Sequence, residues 1–408
     1  MAPLLRNARL RSGAMVDIAT ADGSITAITE ATSAPIAPDE HDLAGWLTVA
    51  ALAEPHAHLD KALTSERVPN RTGDLEGAID AWVAAAGRGE FTHEDTVERA
   101  AKAMELLLIH GVTAVRTHVN VGEANGAASI VAVREAAERH AGLLDVQIVA
   151  LTHSPMTGSE GAANRAALDA AIEAGADLVG GCPHLDPDGD ELIRHALAVA
   201  TDAGIGLDLH MDEMLDPNVL FLPELARQVI DSGFEHPVAA SHCVTLGMQP
   251  PEKQADVAAL VAEAGISVFP LPQTNLFLQG RDVPTATPRG LTAVRALLDA
   301  GVNVAAGADN VQDPFNTVGR SDPLETAALM VMAGHQLPDT AFDLVSTNVR
   351  RAIGLRPVNF EVGDPADFLV IDAPSARGAI ADAPMARRTY RSGVLVASAD
   401  QQTSLHGA

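Results

Sequence analysis

The chain has 408 residues, 47% of them hydrophobic, enough to bury the core of one large α/β barrel with an appendage. Its formal net charge of −27, with lysine only at Lys61, Lys102 and Lys253, would repel phosphate backbones and argues against nucleic-acid partners. No apolar run approaches the roughly 20 residues of a membrane helix, and Met1–Met15 alternates Arg with Leu where a signal peptide would be continuously apolar. A cytoplasmic protein with no membrane partner is expected. Cys182 and Cys243 are too few for a disulfide scaffold or a CxxC zinc site and read as reduced thiols at buried strand ends.

In chain order, Leu4–Ala31 reads as short β segments around the turn Asp22-Gly23. Trp46–Ala53 reads as a buried parallel strand that runs into Glu54-Pro55-His56-Ala57-His58-Leu59-Asp60-Lys61. Further apolar runs follow at Val112–Val119, Leu144–Leu151, Asp177–Cys182, Gly206–His210, Pro237–Cys243, Ile266–Leu271 and Val302–Ala308. Segments with helical periodicity lie between them. The clearest, Thr92–His110, opens on Thr92 with Asp95 three residues on and stops at Gly111. The others are Ala124–Ala141, Asn164–Ala174, Asp190–Ala203, Val219–Ser232, Pro251–Ala264 and Thr292–Ala300.

Strand and helix alternating eight times indicate an α/β fold, a (β/α)8 TIM barrel over residues 46–356. Helices at Pro323–Gly334 and Ala341–Gly354 connect it to a β-rich end containing Asp367–Ile371 and Thr389–Val396. Residues 1–45 and 357–408 are expected to form one small β-sandwich from both chain ends, with Ala399–Ala408 as a disordered tail.

Successive side chains on a strand alternate faces, so His56 and His58 point the same way. Two imidazoles side by side at the end of a buried strand cannot satisfy each other, whereas a divalent cation satisfies both. In a barrel, chemistry gathers where strands end. Seven of the 15 histidines fall at such ends: His56, His58, His118, His153, His184, His210 and His242. Glu213 follows His210 by three residues, and Asp309 ends the last run beside Asn310. His118 and His184 stay open between packing and substrate contact.

Together, Glu54–Lys61, Arg116–Val121, His210–Glu213, Ala240–His242, Leu278–Arg281 and Gly307–Phe315 resemble the cytosine deaminase-like branch of the amidohydrolase superfamily. The resemblance spans about residues 4 to 397. It implies one divalent metal ion, zinc or iron, held by His56, His58, His210 and Asp309. It further implies Glu213 as general acid/base, His242 as the histidine that orients the activated water, and Asp309 as its proton acceptor. Superfamily members with two metals bridge them with a carboxylated lysine on the fourth strand; Asp177–Cys182 contains none, so a single ion is expected.

The chemistry agrees. Three neutral imidazoles and a carboxylate leave a position for water, and the metal brings that water's pKa to about 7. Attack on the amino-bearing ring carbon, with Glu213 moving protons, would release ammonia.

The pattern departs from cytosine deaminase where the ring edge would be read. His153 stands in place of a glutamine, Asn310 in place of a second aspartate, and Asn120 ends the motif His118-Val119-Asn120 where aspartate is usual. The pair Asp309-Asn310 also resembles the N-isopropylammelide amidohydrolases. The expected function is therefore cytosine deaminase-like hydrolytic deamination of an amino-substituted N-heterocycle, with the ring itself left open. The alternatives are alkylamine release from an N-alkylamino triazine-type ring, and a non-catalytic ligand-binding barrel. His153, Asn310 and Phe315 are the expected substrate contacts, the partner is a small heterocycle, and a homo-oligomer is expected.

Overall fold

The computed structural model describes residues 3–406. Its strands are β1 (Leu5–Arg9), β2 (Met15–Ala21), β3 (Ser24–Glu30), β4 (His41–Asp42), β5 (Leu47–Ala50), β6 (Leu52–Ala57), β7 (Val112–Val121) and β8 (Asp145–Thr152). They continue as β9 (Leu178–Gly180), β10 (Gly206–Met211), β11 (Val238–His242), β12 (Ser267–Phe269), β13 (Phe368–Ile371), β14 (Arg387–Arg391) and β15 (Val394–Ala399).

Strands β6 to β12 form one parallel sheet in chain order, each followed by helical structure that covers its outer face. The circle closes without a regular eighth strand. Val302–Ala308 contributes only the isolated parallel bridge Val268↔Val304, and Ala57↔Asp309 follows at its end. The irregularity has a local cause. The buried Glu54 carboxyl group accepts the amides of His56 and Ala308, all at 3.1 Å, and so takes the place of ladder bonds between the first and last staves. A Cβ on Gly307 would stand 2.5 Å from Glu54 Oε1, so only glycine leaves room for this arrangement.

The chain ends build a second, largely antiparallel sheet in the order β15-β14-β13-β5-β1-β2-β3, with β4 alongside β1. It has its own core around Leu5, Ile18, Ile25, Phe368, Val370 and Tyr390. In hydrogen-bonding terms the expected sandwich is one continuous sheet. The run Trp46–Ala53 divides at Ala51. Leu47–Ala50 pairs antiparallel with β13 in the chain-end sheet, and only Leu52–Ala57 belongs to the barrel. The chain thus passes from the chain-end sheet to the barrel sheet at Ala51. Both halves are buried on both faces, so no alternation of polar and apolar residues marks the break.

Two helices intervene before β7. The helix α2 (His93–Ile109) is capped by Thr92, whose hydroxyl accepts the Asp95 amide. The helix α1 (Leu75–Gly87), capped by Asp74, has no counterpart in the expected pattern. The segment Ala341–Gly354 is two short helices, Pro338–Leu344 and Thr347–Ala352. Arg387 on β14 ties the chain-end sheet to the barrel's helices: it forms a bidentate pair with Asp322, which caps the helix Pro323–Met332, at 2.8 Å and donates to the carbonyl of His110 at the end of α2.

Candidate active site

At the carboxyl ends of the barrel strands four donor atoms converge. His58 Nε2 lies 3.3 Å from His56 Nε2, 3.4 Å from His210 Nε2 and 3.2 Å from Asp309 Oδ1. His56 Nε2 is 3.6 Å from the same carboxylate oxygen. Four ligands in a tetrahedron of about 2.0–2.1 Å bonds would stand roughly 3.3 Å apart.

The far sides of two rings are engaged, His56 Nδ1 with Ser241 Oγ at 2.8 Å and His58 Nδ1 with the His118 carbonyl at 3.0 Å. His58 Nδ1 also lies 3.0 Å from Lys61 Nζ, so it stands between a carbonyl that accepts and an ammonium that donates, while the Nε2 atoms of both rings face one another. Both Asp309 oxygens are buried without a hydrogen bond. Burial, then the neighbouring imidazoles and Lys61, hold His56, His58 and His210 well below the usual histidine range. Converging lone pairs on neutral rings with an unpartnered carboxylate fit a divalent cation.

Beside these donors sits a second group. His242 Nδ1 lies 3.3 Å from Asn275 Oδ1 and 3.3 Å from Glu213 Oε1, while Asn275 Nδ2 donates to Glu213 Oε1 at 3.1 Å. The amide thus spans the acid and the imidazole. His242 Nε2, free of partners, turns toward Asp309 Oδ2 at 4.0 Å. Burial, followed by the nearby Asp309, pushes Glu213 well above the ordinary carboxyl range, and burial lowers His242 to about 4. Burial thus shifts both partners toward their neutral forms.

The backbone here is strained as well. Asp212, His242 and Asp309 adopt φ of +50°, +66° and +63°, a region disfavoured for side chains with a Cβ. Asp212 is structural: its carboxylate accepts the amides of Phe221 and Leu222 at the start of the helix Leu222–Ser232.

These groups open on a cavity of about 310 Å³. Its inner end carries His58, His210, Glu213, His242 and Asp309. Its outer end is apolar, formed by Leu75, Ile79, Trp82 and Val83 of α1 with Phe315. Those four α1 positions recur at helical spacing and share one face. Between the ends lie His153, whose ring burial and then Lys61 keep neutral, and the Lys61 ammonium. Lys61 Nζ donates to Asn120 Oδ1 at 2.8 Å and stands over Phe315, 5.6 Å from its centroid. Asn310 lines the cavity with its amide already engaged by Thr274 and Asp313, at 3.3 and 2.7 Å. Cys182 also faces it, with a thiol that burial pushes up to about 12, too high to act as a thiolate.

A sequence profile of the amidohydrolase family matches residues 90–397. The chain is 33% identical over 363 residues to the pterin deaminase of Rhizobium rhizogenes (strain K84), covering 88% of this chain and 82% of that protein. It belongs to the amidohydrolase family. Crystalline 5-methylcytosine deaminase from Klebsiella pneumoniae, liganded with 5-fluorocytosine, superposes with a TM-score of 0.88 at 30% identity over 99% of both chains. N-isopropylammelide isopropyl amidohydrolase of Pseudomonas sp. (strain ADP) is 26% identical over 396 residues, 93% of each chain.

In this amidohydrolase His56, His58, His210, Glu213, His242 and Asp309 come together at one end of the cavity, and His153, Asn310 and Phe315 line it. His118 does not reach it. That ring stacks on His56, with centroids 3.9 Å apart, beneath the donor set. His184 lies outside the lining too, its ring nitrogens buried without partners. The sequence does not single out Asn275, Ser241 or α1 as parts of the site. A signal existed for two of them: Ser241 precedes His242 directly, and Leu75, Ile79 and Trp82 carry the helical period.

Proposed function

We propose that this amidohydrolase is a metal-dependent deaminase that hydrolyses the exocyclic amino group from an amino-substituted N-heterocycle and releases ammonia. The observation that carries the reading is the juxtaposition of a cation-fitting donor cluster with the Glu213–Asn275–His242 group at the closed end of one cavity. Relatives named as deaminases of pterin and 5-methylcytosine support it.

His56, His58, His210 and Asp309 would hold one divalent ion, zinc or iron. Such an ion supplies Lewis acidity, so that a hydroxide nucleophile is available at neutral pH. The protein's own groups do the rest. His242 Nε2, fixed by Asn275, orients the attacking oxygen against the ring carbon, and Asp309 accepts its proton. Glu213 hands its proton to the ring nitrogen and regains one from the hydroxyl of the adduct, while the proton held by Asp309 goes to the departing amine. Oxygen bonds to carbon, the carbon–nitrogen bond breaks, and nitrogen leaves as ammonia. His153 offers one donor and one acceptor to the ring edge, and Phe315 a face for stacking.

A second reading, release of an alkylamine, is favoured by the apolar outer end, where Leu75, Ile79 and Val83 would suit an alkyl group. Incubating metal-loaded protein with a panel of amino- and alkylamino-heterocycles, and assaying ammonia and alkylamine, separates the two. If protein with full metal occupancy hydrolysed no member, the barrel would be a ligand-binding protein and the proposal would fail. Among the described residues no helix is long and apolar enough to cross a membrane. Cytoplasmic location and homo-oligomeric assembly belong to the proposal and are checked by fractionation and sedimentation.

A further inference from the structure

We propose that Ser241 and Asp208 are positioning residues for His56, forming a buried relay from Arg116 that fixes this imidazole with its Nε2 lone pair aimed into the donor cluster. Every member is at least 98% buried, with Arg116 at 2% exposure and Asp208, Ser241 and His56 at 0%. Proton directions along the relay are forced. A guanidinium only donates, so Arg116 Nη1 gives its hydrogen to Asp208 Oδ2 at 2.8 Å. An ionised carboxylate only accepts, so Ser241 Oγ, 3.0 Å from Asp208 Oδ1, must spend its hydrogen there. The hydroxyl is left with lone pairs toward His56 Nδ1 at 2.8 Å, and Nδ1 must carry the ring proton. Nε2 is then unprotonated, which is the form that ligates.

Two further contacts hold the assembly. Arg116 Nε donates to Gln147 Oε1 at 3.0 Å, and Gln147 donates on to the Ile353 carbonyl at 3.0 Å, anchoring the relay at the far end of the barrel. His118 stacks on the His56 ring at 25° between planes, preventing it from swinging. The other imidazoles of the cluster are held differently: His58 Nδ1 lies between the His118 main-chain carbonyl and Lys61 Nζ, both at 3.0 Å, and His210 Nδ1 has no partner. The inference rests on the reading of this cluster as a cation site and deepens it.

The test is zinc affinity of full-length protein, measured by competition with a chromophoric chelator, together with the visible absorption spectrum of the cobalt(II)-loaded form. Ser241→Ala removes the hydroxyl and leaves Asp208 paired with Arg116, so the barrel should fold. Ser241→Gly, which also removes the hydroxyl, is the second variant should the first misfold. Loss of outer partners to a metal-bound histidine typically lowers affinity about 10–100-fold. That loss, with an altered cobalt spectrum at unchanged thermal stability of the metal-free protein, is the expected result. Wild-type affinity and spectrum in either variant overturns the relay while leaving the cation site standing. Failure of the wild-type protein to bind zinc or cobalt overturns both.

Discussion

The two ends of the cavity are built on different principles. At the inner end the side chains are buried and most are tied to a second group: His56 to Ser241, His58 to a carbonyl, and Glu213 and His242 to Asn275. At the outer end the wall is one face of α1, a helix whose buried residues are only Ala78, Trp82 and Ala85. Val83 there is 57% exposed. A densely tied inner end fixes reaction geometry to fractions of an ångström, which catalysis requires. A lightly held apolar face contributes contact area that can differ from one substrate to the next with little effect on the inner end. Reaction type and substrate choice are thereby separated within about 310 Å³.

The sharpest way to break this contrast is Glu213→Gln. Turnover should fall by roughly 10³-fold, within the range for losing a general acid/base, while metal content by atomic absorption stays at the wild-type level. Substantial remaining turnover would remove Glu213 from the mechanism. Next comes Asn275→Ala, which leaves Glu213 and His242 without their shared amide. Hydrogen bonds to charged or reacting groups are worth about 1.5–3 kcal/mol, so kcat should drop about 10–100-fold with KM little changed. A change confined to KM would place Asn275 in binding. At the outer end, Ile79→Ser should alter kcat/KM about tenfold, and only for substrates carrying an apolar substituent. An equal loss for an unsubstituted ring would show that α1 serves the inner end too.

The smallest effect concerns stability. Burial raises the Glu54 carboxyl from 4.5 to about 8, although the His56 and Ala308 amides pull it down. The folded state then binds a proton that the unfolded chain has released. The resulting stabilisation is complete below pH 4.5 and fades as pH rises through about 8. Chemical denaturation from pH 5 to 9 should show part of this decline, and Glu54→Gln should flatten it. An unchanged slope in the variant would assign the decline to other groups.

That these histidines and acids lie together at the inner end was legible in the sequence, because they fall at strand ends and strand ends of a barrel converge. His56-x-His58 carries its geometry in its spacing, whereas Glu213 follows the end of β10 and a turn at Asp212, whose φ is +50°. Asn275 was not legible. It is a neutral amide in the short helix Pro272–Leu278, and its role exists only because β12 returns it to Glu213. The division of Trp46–Ala53 between two sheets was equally hidden, since burial on both faces erases the period-two signal. Asn310 was read as a contact for the ring edge. Spacing could not show that Asp313 and Thr274 take its amide.

The bridge Ala57↔Asp309 and the Glu54 carboxyl group form the barrel's seam, where chain segments around residues 56 and 309 meet. An ion shared by His56, His58 and Asp309 would act as a clasp across that seam. Closing so long a loop costs on the order of 5 kcal/mol in chain entropy, and a clasp resists the reverse opening. Chelation should then loosen the whole ring from its first and last staves inward, with amides at Ala308 and Asp309 exchanging hydrogen before those of β8 or β10.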